Sequence, residues 1–175
     1  MRFAIAAAAV IGLLAGCGMM ESMADRAPTA KATLHPNKDS GVKGAATFAQ
    51  KGDKVQLVAN ISGLKPGQEH GFHIHEKGDC SSGDGMSAGG HFNPLGKPHA
   101  HPSTPDRHAG DMFALKGDDY GNATLSIELD VITVTEGPAG IIGRGLIVHA
   151  QPDDYSTQPT GNAGARVACG VIEEG

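Results

Sequence analysis

Polar and apolar residues alternate with a period of two along several short stretches of the chain. Lys54 to Ile61 (KVQLVANI) and Asn122 to Leu129 (NATLSIEL) show it best, and this period marks a strand with one buried face. Ala32 to His35, Val42 to Gln50, Asp111 to Leu115, Leu146 to His149 and Ala165 to Ile172 read as further strands, as does the β-branched run Val131 to Thr135. Lys51-Gly-Asp53 reads as a hairpin turn, and Leu64-Lys-Pro-Gly67 as the turn into a strand bearing His73 and His75. Gly137 to Gly145 and Gln151 to Gly164 read as loops. No stretch carries a 3.6-residue apolar period. Punctuated by 26 glycines and 10 prolines, the pattern predicts one all-β sandwich or barrel.

Composition agrees and adds one constraint. Apolar residues make up 39% of the 175, but there is no Trp and only two Tyr and five Phe, so the core must be aliphatic. The formal charge of -5 argues against a nucleic-acid partner.

The chemistry concentrates between Gly71 and Asp111. With His70 included, this stretch holds seven of the nine histidines. His73 and His75 alternate around Ile74, so a strand sends both imidazoles to one face. His91, His99, His108 and Asp111 follow on a segment rich in Gly, Pro and Ser, and His149 ends the apolar run Gly145-Leu-Ile-Val. A loop of that length inside a compact domain needs something to tie it down, and a metal held by imidazoles and a carboxylate does so. His35, His70 and His101 fall outside the pattern and read as ordinary surface or core residues.

The motifs Gly71-Phe-His-Ile-His75, Gly90-His-Phe-Asn-Pro94, Arg107-His-Ala-Gly-Asp111, Ile141-Ile-Gly-Arg144, Val148-His149, Pro159-Thr-Gly-Asn-Ala-Gly164 and Arg166-Val-Ala-Cys-Gly-Val-Ile172 together resemble the copper/zinc superoxide dismutase family, over about residues 31 to 172. The resemblance implies a flattened eight-stranded Greek-key barrel with two long functional loops. It also implies the disproportionation of superoxide to dioxygen and hydrogen peroxide.

Ligand type fits this family. Four imidazoles suit copper, and three imidazoles with a carboxylate suit zinc. Seven candidate residues for eight positions require one shared ligand. The resemblance makes that ligand His91, with His73, His75, His91 and His149 on copper and His91, His99, His108 and Asp111 on zinc. It further implies that Asp153 links a copper histidine to a zinc histidine and that Arg166 attracts the superoxide anion beside the copper. Arg144 reads as structural. Tyr155 to Pro159 carries none of the charged residues that guide substrate in many family members. A metal-buffering protein or a binding module with a degenerate site are the competing classes. The first needs no bridging ligand, Asp153 and Arg166 together, and the second usually lacks a copper histidine.

At the N-terminus, Arg2 and the apolar run Ala4 to Ala15 look like a secretory signal peptide over 1–16. Leu14-Ala-Gly-Cys17 resembles a bacterial lipobox, with Cys17 as the lipidated first residue of the mature protein, 17–30 as a flexible tether and 31–175 as the domain. A lipidated Cys17 leaves Cys80 and Cys169 as the remaining pair, and an exported location permits a disulfide between them. The expected location is therefore the bacterial periplasm, with membrane contact only through the anchor. The segment from Cys80 to His91 forms subunit contacts in some family members, which leaves monomer and homodimer both open.

Overall fold

The computed structural model describes residues 27–38 and 40–175. The expected signal segment, Cys17 and the expected tether up to residue 26 lie outside the described residues. The strands are β1 (Thr29–Pro36), β2 (Lys43–Lys51), β3 (Lys54–Ser62), β4 (Glu69–His70), β5 (Phe72–His75), β6 (Leu115–Lys116), β7 (Ala123–Leu129), β8 (Gly145–His149) and β9 (Arg166–Glu174).

Seven strands form one antiparallel sheet in the order β5-β8-β9-β1-β2-β3-β7, while β4 and β6 pair separately. Only Gly71 separates β4 from β5, and an isolated bridge between His73 and Asp111 continues the β4–β6 ladder. Residues 69–75 and 111–116 therefore act as two bent neighbouring strands, which brings the total to eight. They lead into the two outer strands β5 and β7, so the sheet curls toward closure.

Alternation in sequence becomes alternation in burial. β1 turns Ala30, Ala32 and Leu34 inward, and β3 turns Val55, Leu57, Ala59 and Ile61 inward. The core is aliphatic apart from the phenylalanines, chiefly Phe48 and Phe72. Burial of a side chain such as Phe72 contributes about 1.5–3 kcal/mol. β5 and β8 are buried at every position. Phe72 and Ile74 of β5 and Leu146 and Val148 of β8 face the barrel core, while His73, His75 and His149 lie on the opposite face beneath the loops.

Three expectations need correction. Val131 to Thr135 is not a strand. Its β-branched side chains serve burial, with Ile132 and Val134 in the core, while Thr133 bonds Ala139 and Ile141 of its own loop and Gln50 holds Thr133 and Val134. Asp111 to Leu115 contributes one bridge and then β6, because Asp111 is committed to side-chain bonds. Thr29 and Ala30, expected at the end of the tether, are the first paired residues of β1.

Cys80 and Cys169 form a disulfide that pins the loop 76–114 to β9, closing 89 positions of sequence. Ala88, Ile147 and Cys169 make a small apolar cluster beneath it.

Candidate metal centre

The long loop is docked on β5 by main-chain bonds from both of its arms. Phe92 N donates to Ile74 O (2.8 Å), Ile74 N to Gly110 O (3.0 Å) and Gly110 N to Phe92 O (2.8 Å). Bridges pair His75 with His91 and His73 with Asp111. Residues distant in sequence thus meet over the outer face of one strand. Arg144 secures the arrangement by donating to Glu76 O (2.7 Å) and stacking 4.1 Å over the Phe92 ring, in keeping with its structural reading.

Two groups of buried donors result, each with one atom per residue within 4.8 Å of the others: His73, His75, His91 and His149, and His91, His99, His108 and Asp111. These are the two sets assembled from the sequence, and His91 belongs to both.

Hydrogen bonding fixes which nitrogen each ring presents. His75 Nδ1 donates to Gly89 O (3.0 Å) and His149 Nδ1 to Gly164 O (3.3 Å), so both turn Nε2 inward, 3.4 Å apart. His73 Nε2 donates to Asp153 (2.5 Å), and its Nδ1 is buried without a partner. In the second group, Nδ1 of His91, His99 and His108 converge on Asp111 Oδ1 at 2.9, 2.9 and 3.4 Å. Asp111 Oδ2 meanwhile accepts from Ala100 N and His108 N, both at 3.1 Å.

The donor sets fit metal ions. A tetrahedral site with Zn–N bonds of 2.0–2.1 Å has donor–donor edges of roughly 3.3 Å, and the nitrogens of His91 and His108 are 3.5 Å apart. Among the described residues, buried His73 Nδ1 and His91 Nε2 have no partner, an arrangement that costs about 1–3 kcal/mol per atom unless a ligand takes them. Burial pushes His91 down to about 3, helped by His73, and pushes His75 and His149 well below the usual range, helped by the neighbouring histidines and Arg166. Burial works against ionisation of Asp111, but bonds from His108, His91 and His99 outweigh it and hold the carboxyl well below its ordinary value. Neutral imidazoles and an ionised carboxylate are the states that bind metal; His99, which burial lowers but bonds to Asp111 and Asp153 raise to about 9, would release a proton on binding.

Asp153 takes His73 Nε2 on Oδ2 and His99 Nε2 on Oδ1 (2.9 Å), joining the two groups. Gly161 permits this, since at φ +67 a Cβ there would strike Asp153 Oδ1 and lie 2.5 Å from His99 Nε2. Arg166 is paired with His149 in the β8–β9 ladder, and its guanidinium donates to Gly85 O and Gly89 O, both at 2.6 Å.

The three remaining histidines take no part. His35 and His101 are exposed. His70 is a satisfied core residue, with Nδ1 bonded to His149 O (2.8 Å) and Nε2 accepting from Lys65 N (3.3 Å).

Sequence reasoning missed Asn37 and Gln158. Asn37 donates to Arg166 O (3.1 Å) from the β1–β2 turn, and the Gln158 amide bonds the His99 main chain. Neither lies in a spacing that signals a role.

The family model for copper/zinc superoxide dismutase matches residues 42–172. The Cu-Zn superoxide dismutase 2 of Brassica juncea is 47% identical over 143 residues, covering 78% of this chain and 92% of that protein. The crystal structure of the clock protein EA4 is similar with a TM-score of 0.76 at 43% identity, covering 84% of this chain and 94% of that one.

Proposed function

The chain belongs to the copper/zinc superoxide dismutase family, and we propose that its two buried donor groups divide the metals between them. The enzyme is an oxidoreductase that converts two superoxide anions and two protons to dioxygen and hydrogen peroxide. His73 Nδ1 and the Nε2 atoms of His75, His91 and His149 would hold the copper. The Nδ1 atoms of His91, His99 and His108, with Asp111 Oδ1, would hold the zinc. One observation carries this reading: His91 offers Nδ1 to the Asp111 group while its Nε2, buried and unpartnered, sits among the other three histidines.

When bound, copper supplies one-electron exchange with superoxide, and zinc supplies fixed charge without redox chemistry. The chain's own groups supply the rest. When free of metal, His91 Nε2 could carry a proton, and with no protein acceptor among the described residues that proton would be available to a reduced oxygen species in the site. Asp153 fixes both rings it touches with Nε2–H outward, which frees Nδ1 of each for metal. Arg166, held by two carbonyls, presents positive charge to an approaching anion.

A superoxide-decay assay on protein reconstituted with copper and zinc tests the assignment. Decay should be fast in the wild type and should fall to the level of free copper in His91→Ala. Undiminished catalysis in His91→Ala would overturn it.

The segments 1–16 and 17–30 support export with lipidation at Cys17, hence a periplasmic, membrane-tethered enzyme. A mature N-terminus at residue 17 with a lipid mass increment is the expected result, and a soluble protein starting elsewhere overturns it. A homodimer through the segment from Cys80 to His91 is the assembly to test by light scattering.

A further inference from the structure

Both hydrogen-bonding edges of the Gln158 amide reach one residue, His99, and its Nε2 also donates to Ser156 O (3.3 Å). Its Oε1 accepts from His99 N–H (2.8 Å) and its Nε2 donates to His99 O (2.8 Å), reaching from the loop between β8 and β9 to the loop between β5 and β6. Asp153, on the same short loop, takes the far tip of the ring at Nε2 (2.9 Å). His99 is therefore gripped at its main chain and at its ring, and Nδ1 is left facing Asp111 Oδ1 at 2.9 Å. Tyr155 adds another tie between the two loops: its hydroxyl accepts from Ala114 N (3.0 Å), and its ring packs edge-on against His101 with centroids 4.7 Å apart. The stretch from Tyr155 to Pro159 has no charged side chain. What it presents to the metal loop is a set of braces.

We propose that Gln158 is a positioning residue for His99 that slows the escape of zinc, an inference that rests on the zinc assignment above. His99 lies in a segment without strand or helix, so no ladder restrains its main chain. Metal leaves a four-ligand site one ligand at a time, and a detached ring rebinds quickly only while its backbone stays in place. The Gln158 amide supplies that restraint. Partners of metal ligands in such positions typically change metal affinity about 10–100-fold.

The test measures zinc release from the copper- and zinc-loaded full chain into a colorimetric zinc chelator. Gln158→Ala should release zinc about tenfold faster, with copper release unchanged. Gln158→Glu keeps the acceptor for His99 N–H but sets an oxygen in place of the donor facing His99 O, so it should also release zinc faster than the wild type, and it carries the test if the alanine variant fails to fold. Ser156→Ala is the control, since that hydroxyl touches only Asp154 (3.3 Å), and it should match the wild type. Hydrogen exchange at the His99 amide of metal-free protein reads the clamp without zinc, and it should quicken in Gln158→Ala. Wild-type zinc release in both Gln158 variants, or equal acceleration in Ser156→Ala, overturns the proposal. Asp111→Asn separates the two claims: wild-type zinc retention there would mean that the zinc assignment itself fails, and this proposal with it.

Discussion

Arg166 and Cys169 lie three residues apart on β9, yet both reach the outer face of the barrel. Strict alternation would put them on opposite faces. The register shifts by one between Val148 and His149, so that Val148 faces Ala168 while His149 faces Arg166, and Val167 is the extra residue. Such a bulge re-aims a side chain. Here Val167 and Ala168 both lean on the core, which returns Arg166 to the side where Cys169 meets Cys80. Asn37 and Ser40 bond the carbonyls of Arg166 and Val167 at 3.1 and 2.5 Å, so the bulge is held from the β1–β2 turn.

That geometry sets the expected behaviour of Arg166 variants. Arg166→Lys keeps the charge but loses the paired bonds to Gly85 and Gly89, Arg166→Ala loses both, and Arg166→Glu reverses the local field. Activity should fall in that order at constant copper content, by about tenfold or more for Ala. The wild-type rate should decline with ionic strength, and the Ala rate much less. Stopped-flow decay across a salt series checks this, and equal losses in all three variants that track lost copper would reduce the arginine to a brace.

The position of His91 in both groups predicts magnetic communication. With cobalt replacing zinc and copper oxidised, the two spins should be coupled through the imidazole ring in the wild type and uncoupled in any His91→Ala protein that still binds both metals. Magnetic susceptibility measures it directly. Independent spins in the wild type would remove the shared ligand.

The metal-free protein should be most stable near pH 6.5. His75, His91 and His149 have lowered values, so between about 3 and 6.5, the His91 window, the unfolded chain binds more protons and stability falls with acidification. Each such group contributes about 1.4 kcal/mol per pH unit. His99 behaves in the opposite sense. Burial lowers it, but bonds to Asp111 and Asp153 prevail and raise it to about 9, so its contribution is present below 6.5 and lost as pH rises toward 9. Denaturant midpoints at pH 4.5, 6.5 and 9 should peak at the middle value, and metal loading should flatten the profile.

Gly161→Ala should damage the bridge between the metal groups with little effect on the barrel. A non-glycine residue at φ +67 costs about 1–2 kcal/mol in backbone energy alone, and the added methyl displaces Asp153 from His99. Loss of zinc before copper in a chelator titration, with unchanged strand content by circular dichroism, is the expected pattern. Gly164→Ala, whose methyl would meet only the Gln151 side chain and backbone, should retain zinc far better.

The legible parts of the sequence were those with a repeat. Alternation located β2, β3 and β7 to within about a residue, because a half-buried strand imposes a period of two. The two buried donor groups were legible because donor chemistry restricts residue type and the family motifs give their order. Val131 to Thr135 misled because β-branched residues suit burial as well as ladders. The Val167 bulge, Asn37 and Gln158 were hidden for a different reason: each acts through main-chain atoms of a distant residue, and a backbone carbonyl carries no identity in the sequence.

The pairing of β1 with β9 also sets where the N-terminal segment leaves the barrel. Thr29 O accepts from Gly175 N (2.9 Å) and Ala30 opposes Glu174, whereas Arg166 stands at the other end of β9. Eight steps of strand separate Arg166 from Glu174, about 26 Å at 3.2–3.4 Å per residue. The chain ahead of Thr29 therefore leaves the barrel at the end remote from the two donor groups. A tether running from Thr29 would put its point of attachment and the catalytic mouth at opposite ends of β9, so small anions would reach the mouth without passing the attachment.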